Sequence, residues 1–136
     1  MVSKALNYLS LARKGGLAEL GEEPVGDLSR TGRAYVIAVA SDASDHTWRR
    51  AKSFAAGTDQ QCVRLKYTKD EMGMAVGRSS LAIAAVTDAA LALALVKSLP
   101  DGDAAAEEAL SRRTEKLNQR KKEARAHQRN LRKGKK

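Results

Sequence analysis

The sequence predicts an α/β fold: a three-layer α-β-α sandwich around a mostly parallel sheet, followed by a basic C-terminal tail that is helical or disordered. Three observations carry that reading. Apolar or alternating runs take turns with helix-period stretches along residues 1–100, as strands and connecting helices do. Glycine or proline punctuates nearly every change of pattern. The charge is one-sided: residues 111–136 hold twelve Lys/Arg against two acids, the rest is close to neutral, and the whole chain carries +9.

The elements follow in order. Val2, Ala5, Leu6, Leu9 and Ala12 recur at helical spacing behind Ser3, and Gly15-Gly16 stops that helix. Leu17 to Leu20 is a short extended piece. Gly21-Glu22-Glu23-Pro24 opens a second helix, its acids complementing the helix dipole, and Gly32 ends it. Ala34 to Ala40 is an unbroken apolar run, the look of a strand covered on both faces. Caps between Asp42 and Asp45 introduce a helix carrying Trp48, Ala51 and Ala55. Val63, Leu65 and Tyr67 alternate with Arg64 and Lys66, as in a strand wet on one face. Thr68 to Glu71 is a capping box for a helix that Gly77 ends. Leu81 to Val86 is another apolar strand, and Thr87-Asp88 caps a helix through Leu91, Leu95 and Leu99.

Pro100-Asp101-Gly102 then divides the chain into a folded body, residues 1–100, and an extension, residues 101–136. The extension is rich in helix formers, with Glu107 and Glu108 early and cations late. Leu110, Leu117, Ala124 and Leu131 fall seven apart, but their partners at three or four residues are polar. That stripe is too thin for a coiled coil, so the extension is expected to fray alone and to order on a ligand.

Composition narrows the function. With 43% hydrophobic but 4% aromatic residues, the core is built of Ala, Leu, Val and Ile. The single cysteine, Cys62, opens a strand as a small hydrophobe, and no Cys/His cluster has metal-ligand spacing. Residues 81–96 come closest to a long apolar run, but Thr87 and Asp88 interrupt it. A cytoplasmic protein without a membrane partner is expected. The tail fits nucleic acid, through Arg112, Arg113, Arg120, Lys121, Lys122, Arg125, Arg129, Arg132 and Lys133.

Enzyme readings fail on geometry. Ser44-Asp45-His46 are consecutive and cannot converge on one proton path. Gly73 and Gly77 lack the Lys-Ser/Thr of a phosphate loop, and adjacent Glu22 and Glu23 point to different helix faces. No catalytic residue, cofactor, metal or small-molecule substrate is expected.

Four stretches carry a resemblance: Leu11 to Gly16, Gly21 to Glu23, Ala40 to Ala43, and Ala85 to Asp88. In this order and spacing they resemble the YlxQ-like bacterial branch of the kink-turn-binding ribosomal protein superfamily, the seven-Ae/thirty-e group, over about residues 3–98. The resemblance implies an α-β-α sandwich that binds structured RNA, with ribosomal RNA or the ribosome as partner. It places RNA at the start of the second helix, where Gly21 and Glu22 match the family's Asn-Glu or Gly-Glu pair and the Glu accepts from guanine. A helix N-terminus also attracts phosphate. The loop Arg78-Ser79-Ser80 matches a second contact, and Arg13, Lys14 and Arg33 are further cations expected near this end. The family often has Asn before the Glu and Lys three residues after it; Gly21 and Val25 stand there. Plainer readings stand beside these: first-turn acids for Glu22 and Glu23, a solvated loop at 78–80, caps for Asp42 and Asp88, and a core role for Trp48. A protein-interaction domain with a generic basic targeting tail is the alternative function.

Overall fold

The computed structural model describes residues 3–133, with side chains up to residue 129. Local chemistry accounts for most helix starts. The Ser3 hydroxyl accepts from the Leu6 N–H at 3.1 Å and begins α1 (Lys4–Lys14). Ser44 does the same for Thr47 at α3 (Asp45–Ala55), and Asp88 for Leu91 at α5 (Ala89–Lys97). Thr68 and Glu71 close a complete capping box on α4 (Lys69–Ala75). The start of α2 (Glu22–Arg30) differs, because Gly21 supplies no side-chain cap. Its φ of +102° is open to glycine and costly for other residues.

The strands are β1 (Ala18–Leu20), β2 (Val36–Val39), β3 (Gln61–Arg64) and β4 (Ile83–Val86). They form one sheet in the order β1-β4-β2-β3. The expectation of a mostly parallel sheet is corrected: β2 and β3 are parallel, but β4 runs antiparallel to both β1 and β2. The register gives the reason. Val39 faces Arg64 at the end of β3 and Ile83 at the start of β4, so the chain enters β4 at the edge where it leaves β3. The seven-residue α4 stays at that edge and does not carry the chain back across the sheet. Alternation of strands and helices is blind to this choice.

This arrangement gives the sandwich two poles. At the front pole β1, β2 and β3 end, β4 begins, and α2, α3 and α4 start. At the rear pole α1 and α2 end, β1, β2 and β3 begin, and β4 ends. Helices α2 and α3 pack together over one face of the sheet; α1, α5 and α6 (Ala104–Lys133) pack over the other. The central strands are buried throughout, as their unbroken apolar sequence requires. At Gly26 a methyl group would meet the Phe54 ring at 3.0 Å, so the missing side chain sets how closely α2 and α3 approach.

The core does not stop at residue 100. Helix α6 packs on α5 and β3, and Ala106 and Leu110 belong to the same buried cluster as Leu9, Ile37 and Leu95. Leu117 is half-buried about two turns further along. A boundary at residue 100 therefore separates side chains that share one core. Four-residue steps from Ala106 to Leu110 are enough to dock a helix on a neighbour, although seven-residue steps are too few for a coiled coil.

Candidate nucleic-acid interface

The front pole is assembled from helix starts. Glu22, the first residue of α2, places Oε1 3.3 Å from Arg50 Nε of α3. That contact lacks hydrogen-bond geometry, and Oε1 is a buried oxygen without a hydrogen-bond donor. Arg50 also lies over the Phe54 ring, so the carboxylate is oriented by a guanidinium that is itself held. Asp42 accepts from the Lys69 N–H at 2.8 Å, tying the start of α4 to the loop before α3. It thus acts as a cap, but on a distant helix.

The loop Arg78-Ser79-Ser80 lies on α4 beside this tie. The Arg78 N–H donates to the Gly73 carbonyl at 2.8 Å, and the Leu81 N–H to that of Lys69 at 2.9 Å. A methyl group on Gly73 would meet Ser80 N at 2.7 Å and Arg78 O at 2.8 Å. Gly73 is therefore what lets the loop lie down on the helix. All three loop side chains are exposed. The structure thus brings Gly21, Glu22, Arg78, Ser79 and Ser80 to one edge of the sheet.

Arg13, Lys14 and Arg33 are not there. Arg13 and Lys14 end α1 and Arg33 precedes β2, which places all three at the rear pole. The short strand β1 is the reason. It crosses the sheet between Lys14 and Gly21, so neighbours in sequence end at opposite edges. The expectation that these cations lie near the α2 start is corrected accordingly. Val25, where the family often has Lys, is fully buried in the core.

Arg113 is engaged within the chain. Its guanidinium donates to Ala34 O at 2.7 Å and Gly32 O at 2.8 Å, and stacks 3.9 Å from the centroid of Tyr35. Gln60 completes the stitching: it accepts from the Ala34 N–H at 3.0 Å and donates to Ser29 O at 3.0 Å. These side chains satisfy the orphan backbone groups between α2 and β2. Sequence reasoning missed this role because a single Arg in a basic run looks like its neighbours. The faint signal was that Arg113 follows Ala106 and Leu110 on one helix face.

From Asn118 to Arg129 every side chain except Ala126 is exposed, including Arg120, Lys121, Lys122, Arg125 and Arg129. Arg112 is exposed as well, in loose contact with Glu108 at 3.9 Å. Arg132 and Lys133 lie outside the residues whose side chains are described.

Other singled-out residues have structural roles. Trp48 is half-buried against the core, with Arg64 over its ring, and Arg64 donates to the Ser41 and Ala43 carbonyls. Cys62 is partly buried, and burial pushes its thiol up to about 12 against a smaller opposing pull from Lys52. Among the described residues no group of three or more His, Cys, Asp or Glu could hold a metal ion. No helix among them is long and apolar enough to cross a membrane.

No family model matches the chain, and no curated protein matches it. Solved structures do. One is a protein with unknown function from Bacillus halodurans, with TM-score 0.66 and 23% identity over 70% of this chain and 95% of that one. Another is the Giardia lamblia 15.5kD RNA binding protein, with TM-score 0.60 and 17% identity over 79% of this chain and 87% of that one. At these identities the likeness is one of fold: the chain has the α-β-α sandwich that an RNA-binding protein also uses.

Proposed function

We propose that this is a non-catalytic RNA-binding protein of the kink-turn-binding superfamily, acting on ribosomal or another structured RNA in connection with the ribosome or translation. The observation that carries the reading is the outer half of α6. Between residues 118 and 129 it bears five Lys/Arg and one acid, nearly all exposed. Such a helix offers a row of cations to a phosphate backbone. The fold shared with the Giardia RNA binding protein supports the same partner class.

In this reading the front pole contributes selectivity. The α2 start offers free N–H groups, and Arg50 orients the Glu22 carboxylate, whose other oxygen can accept from a guanine edge. Gly73 holds Arg78, Ser79 and Ser80 beside it.

Glu22→Ala tests the proposal, titrated against a kink-turn duplex and its unkinked mutant. If Glu22 reads guanine, the substitution weakens kink-turn binding by about 1–3 kcal/mol and leaves the unkinked duplex alone. If Glu22 is a first-turn acid that repels phosphate, the substitution tightens both. Failure of the wild type to bind either RNA would overturn the function itself.

A further inference from the structure

We propose that the rear pole is a second nucleic-acid seat, in which Arg13, Lys14 and Arg33 act with the Arg120/Lys121 side of α6 on one RNA sugar-phosphate backbone. The inference rests on the RNA-binding reading, but concerns a different edge of the molecule from the α2 start.

The argument begins with placement. Gly16, Leu17, Gly32, Arg33, Tyr35, Thr87 and Arg113 line a shallow groove of about 400 Å³ at this pole. Arg13 and Lys14 end the helix that runs into the groove's Gly16 wall, and both are exposed. The cations are exposed, and among the described residues none of them forms an ion pair, while the frame that holds them is fixed. Arg33 is exposed, yet its two neighbours Gly32 and Ala34 have their carbonyls gripped by Arg113. The loop therefore presents Arg33 from a fixed backbone, with little ordering left for binding to impose.

Arg113 also sets the position of α6. Arg120 and Lys121 follow it by seven and eight residues, so they emerge on the same side of the helix about 10 Å further out. The acids nearby are largely occupied: Asp27 pairs with Arg30, Asp59 with Arg113, and Asp88, next to Thr87, accepts from the Leu91 N–H as the cap of α5. The result is a rigid ledge of Arg13, Lys14 and Arg33 facing a projecting basic rod. That geometry fits the spaced charges of a phosphate backbone better than a compact anion.

The front pole differs in that its charges are mixed: Glu22, Glu23, Asp42, Asp45, Asp70 and Glu71 sit at the helix starts there, among Arg50, Lys69 and Arg78. Acids interleaved with the cations weaken attraction that is independent of sequence at that edge, so the two edges can hold separate RNA segments.

The test compares the full chain with Arg13→Gln/Lys14→Gln/Arg33→Gln. A control variant, Lys4→Gln/Arg49→Gln/Lys97→Gln, removes three exposed cations from other surfaces. Each is titrated with a plain RNA duplex across a salt series, with thermal melts confirming the fold. The rear triple should flatten the slope of log K against log salt by about 2, at 0.7–0.9 per phosphate released, and the control by much less. Equal flattening by both variants, or none by the rear triple, overturns the second seat while the RNA-binding reading stands. No binding of the duplex or the kink-turn RNA by the wild type overturns both.

Discussion

The two halves of α6 are both built of helix formers and have different fates. From Ala104 to Leu117 the helix is part of the body: Ala106 and Leu110 are buried, and Arg113 is bonded to the α2–β2 loop. From Asn118 to Arg129 it has almost no buried surface. Both halves are rich in good helix formers, Ala, Glu and Arg in the inner and Arg, Lys, Gln and Ala in the outer, so helix propensity does not separate them. Two buried apolar side chains and one Arg with acceptors in reach do. Arg113 in the inner half is a structural fastener, whereas the exposed cations of the outer half are available to a ligand.

Removing the inner half should have the largest effect. A chain ending at Gly102 uncovers the surfaces of α5 and β3 that α6 covers, and loses Ala106 and Leu110. A Leu-to-Ala change alone costs about 2–5 kcal/mol in a core, so this truncation should lose at least about 3 kcal/mol and melt more than about 10 °C lower. Coincident melts for the short and full chains would show that the docking contributes nothing. Cys62 on β3 offers a second readout. Its folded thiol titrates near about 12, so at pH 8.5 it stays protonated and should alkylate slowly in the full chain. Loosening β3 lets it fall back toward its ordinary value near 9, and labelling should speed up many-fold. The sign for stability follows: the thiol's contribution is complete below about pH 9 and is lost as pH rises toward 12.

Arg113→Ala sharpens the comparison at one residue. It leaves the Gly32 and Ala34 carbonyls without their charged donor and should cost about 2–3 kcal/mol of stability in a denaturant titration. A neighbour in the outer half, Arg125→Ala, should cost nothing measurable there. An equal loss for both would erase the distinction between fastener and free cation.

Truncation after Leu117 should have the smallest effect on the fold and a large one on binding. The melt should move by no more than about 1 °C. The salt dependence of RNA binding should flatten by several units, since nine Lys/Arg are removed with one acid. An unchanged salt slope would take the outer helix out of RNA binding altogether.

Much of the fold was legible because local signals agree. The capping box at Thr68 and Glu71, the caps Ser3 and Asp88, and the apolar runs of β2 and β4 each point to the element that forms. The site was half legible. Gly21, Glu22 and the 78–80 loop share an edge, as the ordered motifs implied, whereas Arg13, Lys14 and Arg33 do not. The Glu22–Arg50 pair spans two helices, and the Gly73 contact depends on a loop folding back. Neither leaves a periodic trace.

The sequence by itself determined the order of helices and strands, most helix starts, which residue types build the core, and that the charge gathers at the C-terminus; the strand bounds shifted, β3 to Gln61–Arg64 and β4 to Ile83–Val86. Those properties depend on residues within a few positions of one another: caps, periods and runs. Only the tertiary structure decided the direction of β4, the pole to which each cation belongs, and the point where α6 leaves the body. These depend on which surfaces meet across the sheet. The same Arg is a ligand-facing charge or an internal fastener according to whether backbone carbonyls lie within its reach.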